Sequence, residues 1–194
     1  MSNYAELHCL SCYSFLRGAS HPHELVERAA ALGYAALAIT DECSLAGIVK
    51  AHVAAKEHGI KLLVGSEFVL EEGIRLVALA PSRAAYSELS GLISMARRRS
   101  PKGEYRATLR DVIFHLKRCL LIWLPGDADE ASRAWGLQLG RLCQGRIWLG
   151  VTHLLDNDEV ARYLRLYELA QALDIPMVAC GNVQMHSAGR KPLH

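Results

Sequence analysis

The chain has 194 residues, 51% of them hydrophobic and 22% charged, a balance that predicts one soluble globular domain and argues against a disordered chain. Its 22 basic and 20 acidic residues leave a formal charge of +2, so no whole-chain field demands nucleic acid as a partner. No apolar run approaches the ~20 residues that cross a bilayer, and Met1 to Glu6 lacks the basic start and apolar core of a secretory signal, so a cytoplasmic protein with no membrane contact is expected.

Tyr4 to His8 reads as a short first strand, and Ser11 to Ser20 as a loop in which Gly18 is available for a positive φ. A helix follows, with Ser20 or His21 near its cap, Pro22 in its first turn, Leu25, Ala29 and Leu32 at helical spacing, and Gly33 ending it. Ala35 to Ile39 is an unbroken apolar run that stops at Thr40, Asp41 and Glu42, the pattern of a strand buried on both faces whose carboxyl end opens onto a polar rim. A helix from about Leu45 to His58 is stopped by Gly59. Lys61 to Val64 makes a third strand, followed at once by Gly65-Ser66-Glu67, and Phe68 to Leu70 and Ile74 to Ala80 flank Glu71-Glu72-Gly73 as a hairpin.

Pro81-Ser82 opens a helix that ends in Arg97-Arg98-Arg99, and Ser100 to Tyr105 is the most loop-like segment. Thr108 to Asp111 nucleates a short helix. Cys119 to Leu124 is a buried strand closed by Pro125-Gly126, Ala131 to Cys143 a helix weakened by Gly136 and Gly140, and Ile147 to Val151 a strand. Asp156-Asn157-Asp158-Glu159 is a capping box for a helix reaching Leu173, and Ile175 to Cys180 is the last strand, ending at Gly181-Asn182. With no linker or repeat, this alternation predicts a single α/β domain over residues 1–194 with a mainly parallel sheet; a distorted barrel and an open doubly wound sheet both fit.

In such sheets reacting groups gather at the carboxyl ends of the strands. His8, Asp41, Glu42 and Glu67 fall there, as do His153 after a later strand and Asn182, Gln184 and His186 after the last. Imidazoles and carboxylates converging from several strands are what a divalent cation wants, and a cluster of such ions would orient a phosphate and activate water. Each residue also has a plain structural reading. A histidine is often simply hydrogen-bonded, Asp41 would cap the helix near Leu45, and Glu67 would be a solvated hairpin charge. The six cysteines are expected to be reduced thiols, although Cys9 and Cys12 have the C-x-x-C spacing of a redox pair or, with Cys43 and Cys180, a zinc site. Arg97, Arg98, Arg99, Lys102, Arg106 and Arg110 would either guide a nucleic-acid backbone or form a solvated helix end favoured by the macrodipole.

His8-Cys9-Leu10-Ser11, Ile39-Thr40-Asp41-Glu42, Gly65-Ser66-Glu67 and Gly181-Asn182-Val183-Gln184 resemble, in order and spacing, the motifs of the polymerase-and-histidinol-phosphatase (PHP) domain. The runs Phe15 to Pro22 and Ala38 to Ser44 look like the copy at the N-terminus of the error-prone, damage-inducible branch of bacterial C-family DNA polymerases. The resemblance implies a distorted seven-stranded β/α barrel of the TIM type, a trinuclear metal cleft at its mouth, and a much longer parent polymerase that carries the nucleotidyl-transfer aspartates elsewhere. His8, Asp41 and Glu67 match the family's metal positions. Leu10, Glu42, Asn182 and Gln184 stand where it has His, His, Asp and His, and His153 and His186 are further candidates. Neutral amides and an aliphatic side chain are poor substitutes around a dication, so the resemblance implies a vestigial site holding no cofactor or one residual Zn, Mn or Mg ion. The implied partners are the thumb and palm of the same polymerase and, through the full-length enzyme, DNA, a sliding clamp and other mutagenesis proteins. The domain would be structural; the alternative is an active metal-dependent phosphoesterase, either a 3′–5′ exonuclease or a histidinol-phosphatase-like enzyme.

Overall fold

A computed structural model describes residues 4–126, 128–153 and 157–193. Strands β1 (Ala5–Glu6), β2 (Ala36–Ile39), β3 (Lys61–Val69), β4 (Arg75–Leu79), β5 (Leu120–Trp123), β6 (Ile147–Val151) and β7 (Met177–Ala179) lie side by side in chain order in one seven-stranded sheet. Helices α1 (Pro22–Ala31), α2 (Ile48–His58), α3 (Arg83–Arg98), α4 (Leu109–His115), α5 (Glu130–Leu142) and α6 (Glu159–Leu173) cover its outside. Neighbouring strands run parallel except around β4, which pairs antiparallel with both β3 and β5. The predicted hairpin at Glu71-Glu72-Gly73 produces that reversal, with Gly73 supplying a φ of +79°.

The sheet curls until its two edges meet. No ladder joins β1 to β7 among the described residues; the seam is closed one step beyond the strands, where Cys9 bridges Val183. There Leu10 N donates to Val183 O at 2.8 Å and Val183 N to His8 O at 2.9 Å. The buried Glu6 carboxylate fastens the same seam, its Oε1 accepting from His8 N and from Gly181 N, each at 2.8 Å. A Cβ on Gly181 would lie 2.2 Å from Glu6 Oε2, which is why the seam needs glycine there. The result is a nearly closed, distorted β/α barrel, which decides between the two architectures that the strand–helix pattern left open.

The core is partitioned by the wall. Outside it, Phe68, Leu76, Leu121 and Leu149 pack on Leu89, Leu92, Leu139 and Leu169 of α3, α5 and α6. A second cluster joins Leu25, Val26 and Ala29 of α1 to Ala51, Ala54 and Ala55 of α2 and to Leu37 and Ile39. A third, smaller cluster of Ala38, Val77, Leu79 and Ile122 lies in the lumen.

Most predicted elements are present within a few residues of their expected limits, but local chemistry departs in three places. The second helix starts at Ile48, with Gly47 at its cap and no side-chain cap, so Asp41 is not its N-cap. Gly18 does not take the positive φ; Leu16 does, at +60°, while Gly18 is needed because a Cβ there would lie 1.9 Å from Ser11 O. Gly136 is likewise a contact rather than a weakness: a Cβ would meet Leu173 Cδ1 at 2.3 Å. The Thr108–Asp111 cap forms as expected, Asp111 N donating to Thr108 Oγ1 at 3.2 Å and Thr108 N to Asp111 Oδ2 at 3.0 Å. The capping box expected at Asp156 lies partly outside the described residues, and Asp158, at the N-cap of α6, makes no side-chain cap bond.

Candidate functional site at the barrel mouth

The loops after β1, β2 and β3 meet at one end of the barrel. Thr40 N donates to Cys9 O at 2.8 Å, and Glu67 N to Thr40 O at 3.1 Å, so the residues following β1 and β2 are stitched to β3. Glu42 and Glu67 are paired across a parallel bridge, which sets two carboxylates side by side. Glu67 is wholly buried, not the solvated hairpin charge of the plain reading.

Glu67 is surrounded by nitrogen groups of three side chains. His8 Nε2 lies 2.5 Å from its Oε2, Arg17 Nη1 donates to Oε1 at 2.8 Å and Nη2 to Oε2 at 3.2 Å, and Arg75 Nε stands 3.6 Å from Oε1. Burial pushes the Glu67 carboxyl up, but the bonds from and charges on His8 and Arg17 outweigh it and bring it down to about 2. Arg17 Nη1 also donates to Glu42 Oε2 at 2.6 Å, and the second oxygen of Glu42 accepts from Tyr105 OH at 2.8 Å. Arg97 fixes the backbone beneath, donating to the carbonyls of Glu42 at 3.1 Å and Cys43 at 3.2 Å while its guanidinium lies over the Tyr105 ring.

Asp41 is engaged elsewhere. Its Oδ1 accepts from Ser11 N and Ser14 Oγ and its Oδ2 from Ser11 Oγ, each at 2.7 Å, so it organises the loop after β1. Burial raises its carboxyl, and the serine bonds offset this only in part. Ser14 Oγ in turn accepts from Glu42 N at 2.9 Å. This serine–aspartate lattice carries the segment bearing Arg17.

Of the remaining candidates Asn182 shares a pocket with His8, and the others are dispersed. The Leu10 side chain is buried, adding no donor. Asn182 takes a left-handed φ of +49°; with His8, Arg75 and Thr152 it lines a polar pocket of about 340 Å³, and its Oδ1 and His8 Nδ1 are buried without hydrogen-bond partners there. Gln184 joins through its backbone, its carbonyl accepting from Ala19 N at 2.8 Å. His186 Nδ1 is 2.8 Å from Ser20 Oγ, beside α1, and His153 is exposed, with Nδ1 2.7 Å from Glu159 Oε1. Among the described residues no three His, Cys, Asp or Glu side chains converge as a metal ion requires. His8 and Glu42 both adjoin Glu67, and the Arg17 guanidinium bonds the two carboxylates.

Sequence reasoning missed Arg17, Ser11, Ser14, Tyr105 and Glu6. The signals available for Arg17 were its place in the loop after the first strand and its membership of the Phe15 to Pro22 run that carries the resemblance. The cysteines offer no thiolate environment: burial pushes Cys9 well up, brings Cys43 and Cys180 to about 11 and raises Cys12, which contacts His21 Nδ1 at 3.2 Å. Much of the basic run is also occupied, Arg97 on backbone carbonyls, Arg99 on Asp111 at 2.8 Å and Arg106 on Glu71 at 2.5 Å.

A seven-stranded β/α barrel whose strand ends gather acidic and imidazole side chains defines a class. The PHP domain model matches residues 6–130, and the chain belongs to that family. Curated relatives named error-prone DNA polymerase include those of Saccharophagus degradans, 55% identical over 98% of this chain, and of Pseudomonas paraeruginosa, 54% identical over all of it. The chain spans only 18% and 19% of those two relatives. Two solved structures share the fold. One, described as a metal-dependent phosphoesterase of Bifidobacterium adolescentis, has a TM-score of 0.69 at 19% identity, covering 97% of this chain and 90% of that one. The other, an amidohydrolase of Chromobacterium violaceum with bound sulfate and no metal, has a TM-score of 0.71 at 17% identity, covering 93% and 87%.

Proposed function

We propose that this chain is the PHP domain of an error-prone, damage-induced translesion DNA polymerase, and that its barrel mouth serves as structural support for the polymerase rather than as a phosphoesterase centre. The parent assignment is supported by the relatives' shared name and by their match along essentially the whole chain. In that setting the domain works in the cytoplasm, packs against the thumb and palm of its own polymerase, and meets DNA, a sliding clamp and other mutagenesis proteins only through the full-length enzyme.

The structural role is carried by one observation: His8, Asp41 and Glu67, the three residues that match metal positions, are all engaged with protein partners. His8 and Glu67 hold each other, Arg17 sits on Glu67, and Asp41 is turned to Ser11 and Ser14. The donors present do not fit a trinuclear cluster, and the family's metal-assisted hydrolysis is not carried over. At most a single residual Zn, Mn or Mg ion is compatible with this donor set.

Elemental analysis of the purified protein, with degradation of 3′-labelled single-stranded DNA and hydrolysis of a phosphomonoester in added Mn²⁺, tests the reading. The expected result is at most one metal per chain and no hydrolysis above background. Two or three bound ions and an exonuclease lost on His8→Ala would instead establish the phosphoesterase.

A further inference from the structure

We infer that Arg17 is the resident cation of the barrel mouth: its guanidinium occupies the seat between Glu42 and Glu67 and excludes divalent ions from it. The inference rests on the structural reading above and adds what holds the two carboxylates together and what closes the seat between them to metal ions.

Parallel pairing of Glu42 with Glu67 brings two like charges together, one of them fully buried. Such a pair persists only with a compensating charge in contact. One planar fork meets this need, Nη1 reaching an oxygen of each carboxylate and Nη2 the second oxygen of Glu67. Arg75 is a poor substitute, since its single ionic contact with Glu67 is 3.6 Å long and its side chain is 45% exposed.

The backbone is shaped to deliver this group. Leu16, just before Arg17, sits at a φ of +60°, a conformation that costs a side-chain-bearing residue free energy. Gly18, just after it, lies so close to Ser11 O that no side chain fits. Ser14 N donates to Ser11 O at 2.9 Å and Gly18 N to Ser14 O at 2.9 Å, closing the loop on the Asp41 lattice. A dication approaching Glu67 meets a fixed positive charge, a His8 Nε2 already held against Glu67 Oε2, and a Glu42 already bonded on both oxygens.

Melting temperature and Mn²⁺ binding, the latter by electron paramagnetic resonance, read out the inference on the intact protein. Wild type should melt at the same temperature in EDTA and in millimolar Mn²⁺ and bind no ion at this seat. Arg17→Ala should melt about 5–10 °C lower and gain one Mn²⁺ per chain that restores part of the loss. Adding Glu67→Gln should abolish that binding. If Arg17→Ala does not yield folded protein, Arg17→Gln, which removes the charge but keeps length and polarity, carries the same expectations. A folded neutral variant that melts like wild type, or that gains no Mn²⁺, or that still binds Mn²⁺ with Glu67→Gln, overturns the inference. Wild type arriving loaded with metal and hydrolysing DNA overturns the proposed function; a metal-free wild type whose Arg17 variants gain no ion overturns this inference alone.

Discussion

Burying a carboxylate costs several kcal/mol unless its charge is met, and Glu67 shows what meeting it entails: an imidazole and a guanidinium in contact, the guanidinium delivered by a bent loop. The linkage to pH has a definite sign. Because the folded-state value lies at about 2, below the ordinary 4.5, Glu67 contributes stability that is fully present above about pH 4.5 and is lost as the pH falls toward 2. Asp41 works in the opposite sense, since its raised value lets the folded state take up that proton first. Thermal melts of wild type and Glu67→Gln between pH 7 and pH 3 separate the two: the advantage of wild type should shrink toward acid, and a constant gap would refute the assignment. At this scale the sequence was half legible. The rim carboxylates announced themselves by following apolar runs, whereas Arg17, Ser11, Ser14 and Tyr105 lie in segments with no periodicity, where partners are chosen by tertiary approach rather than by spacing.

At the scale of elements, the departures from sequence expectation share one cause. Gly18 and Gly136 read as a turn residue and a weak helix position, yet each marks a place where another group comes too near for a Cβ. Nothing local in a sequence distinguishes these uses. Gly18→Ala should therefore destabilise the protein by about 1–3 kcal/mol, toward the upper end because the obstacle is a backbone carbonyl, as measured by urea denaturation. It should also loosen Arg17, so the variant should acquire some Mn²⁺ binding; a stability within error of wild type would mean that the loop relaxes without cost. Helix limits were read more securely, because Gly33 and Gly59 end their segments in the left-handed conformation that the chain pattern implies. The second helix begins later than expected, at Ile48 with Gly47 at its cap, and Asp41, the expected cap, bonds the serines of another loop instead.

For the whole molecule, alternating strands and helices were enough to fix the α/β class, and the short acidic turn at Gly73 foretold the antiparallel β4. Closure of the barrel was not legible in the pattern, since it depends on a short seam between the two ends of the sheet. That seam also orders the molecule's stability. Hydrogen exchange should find the amides of Leu10 and Val183 well protected in wild type, and Glu6→Gln, which removes the charge that fastens His8 N and Gly181 N, should speed both more than the amides of β3 and β4. Equal acceleration everywhere would show that the wall opens only with global unfolding.

Among the described residues, β1 and β7 are fastened at the mouth, and this has a mechanical outcome. The barrel is buckled at its lip, and no ladder among the described residues laces it toward its floor, where Leu7, Leu63, Leu120 and Val178 surround an apolar hollow of about 240 Å³. Small fluctuations should hinge about the lip, so the floor breathes while the charged lattice above it keeps its shape.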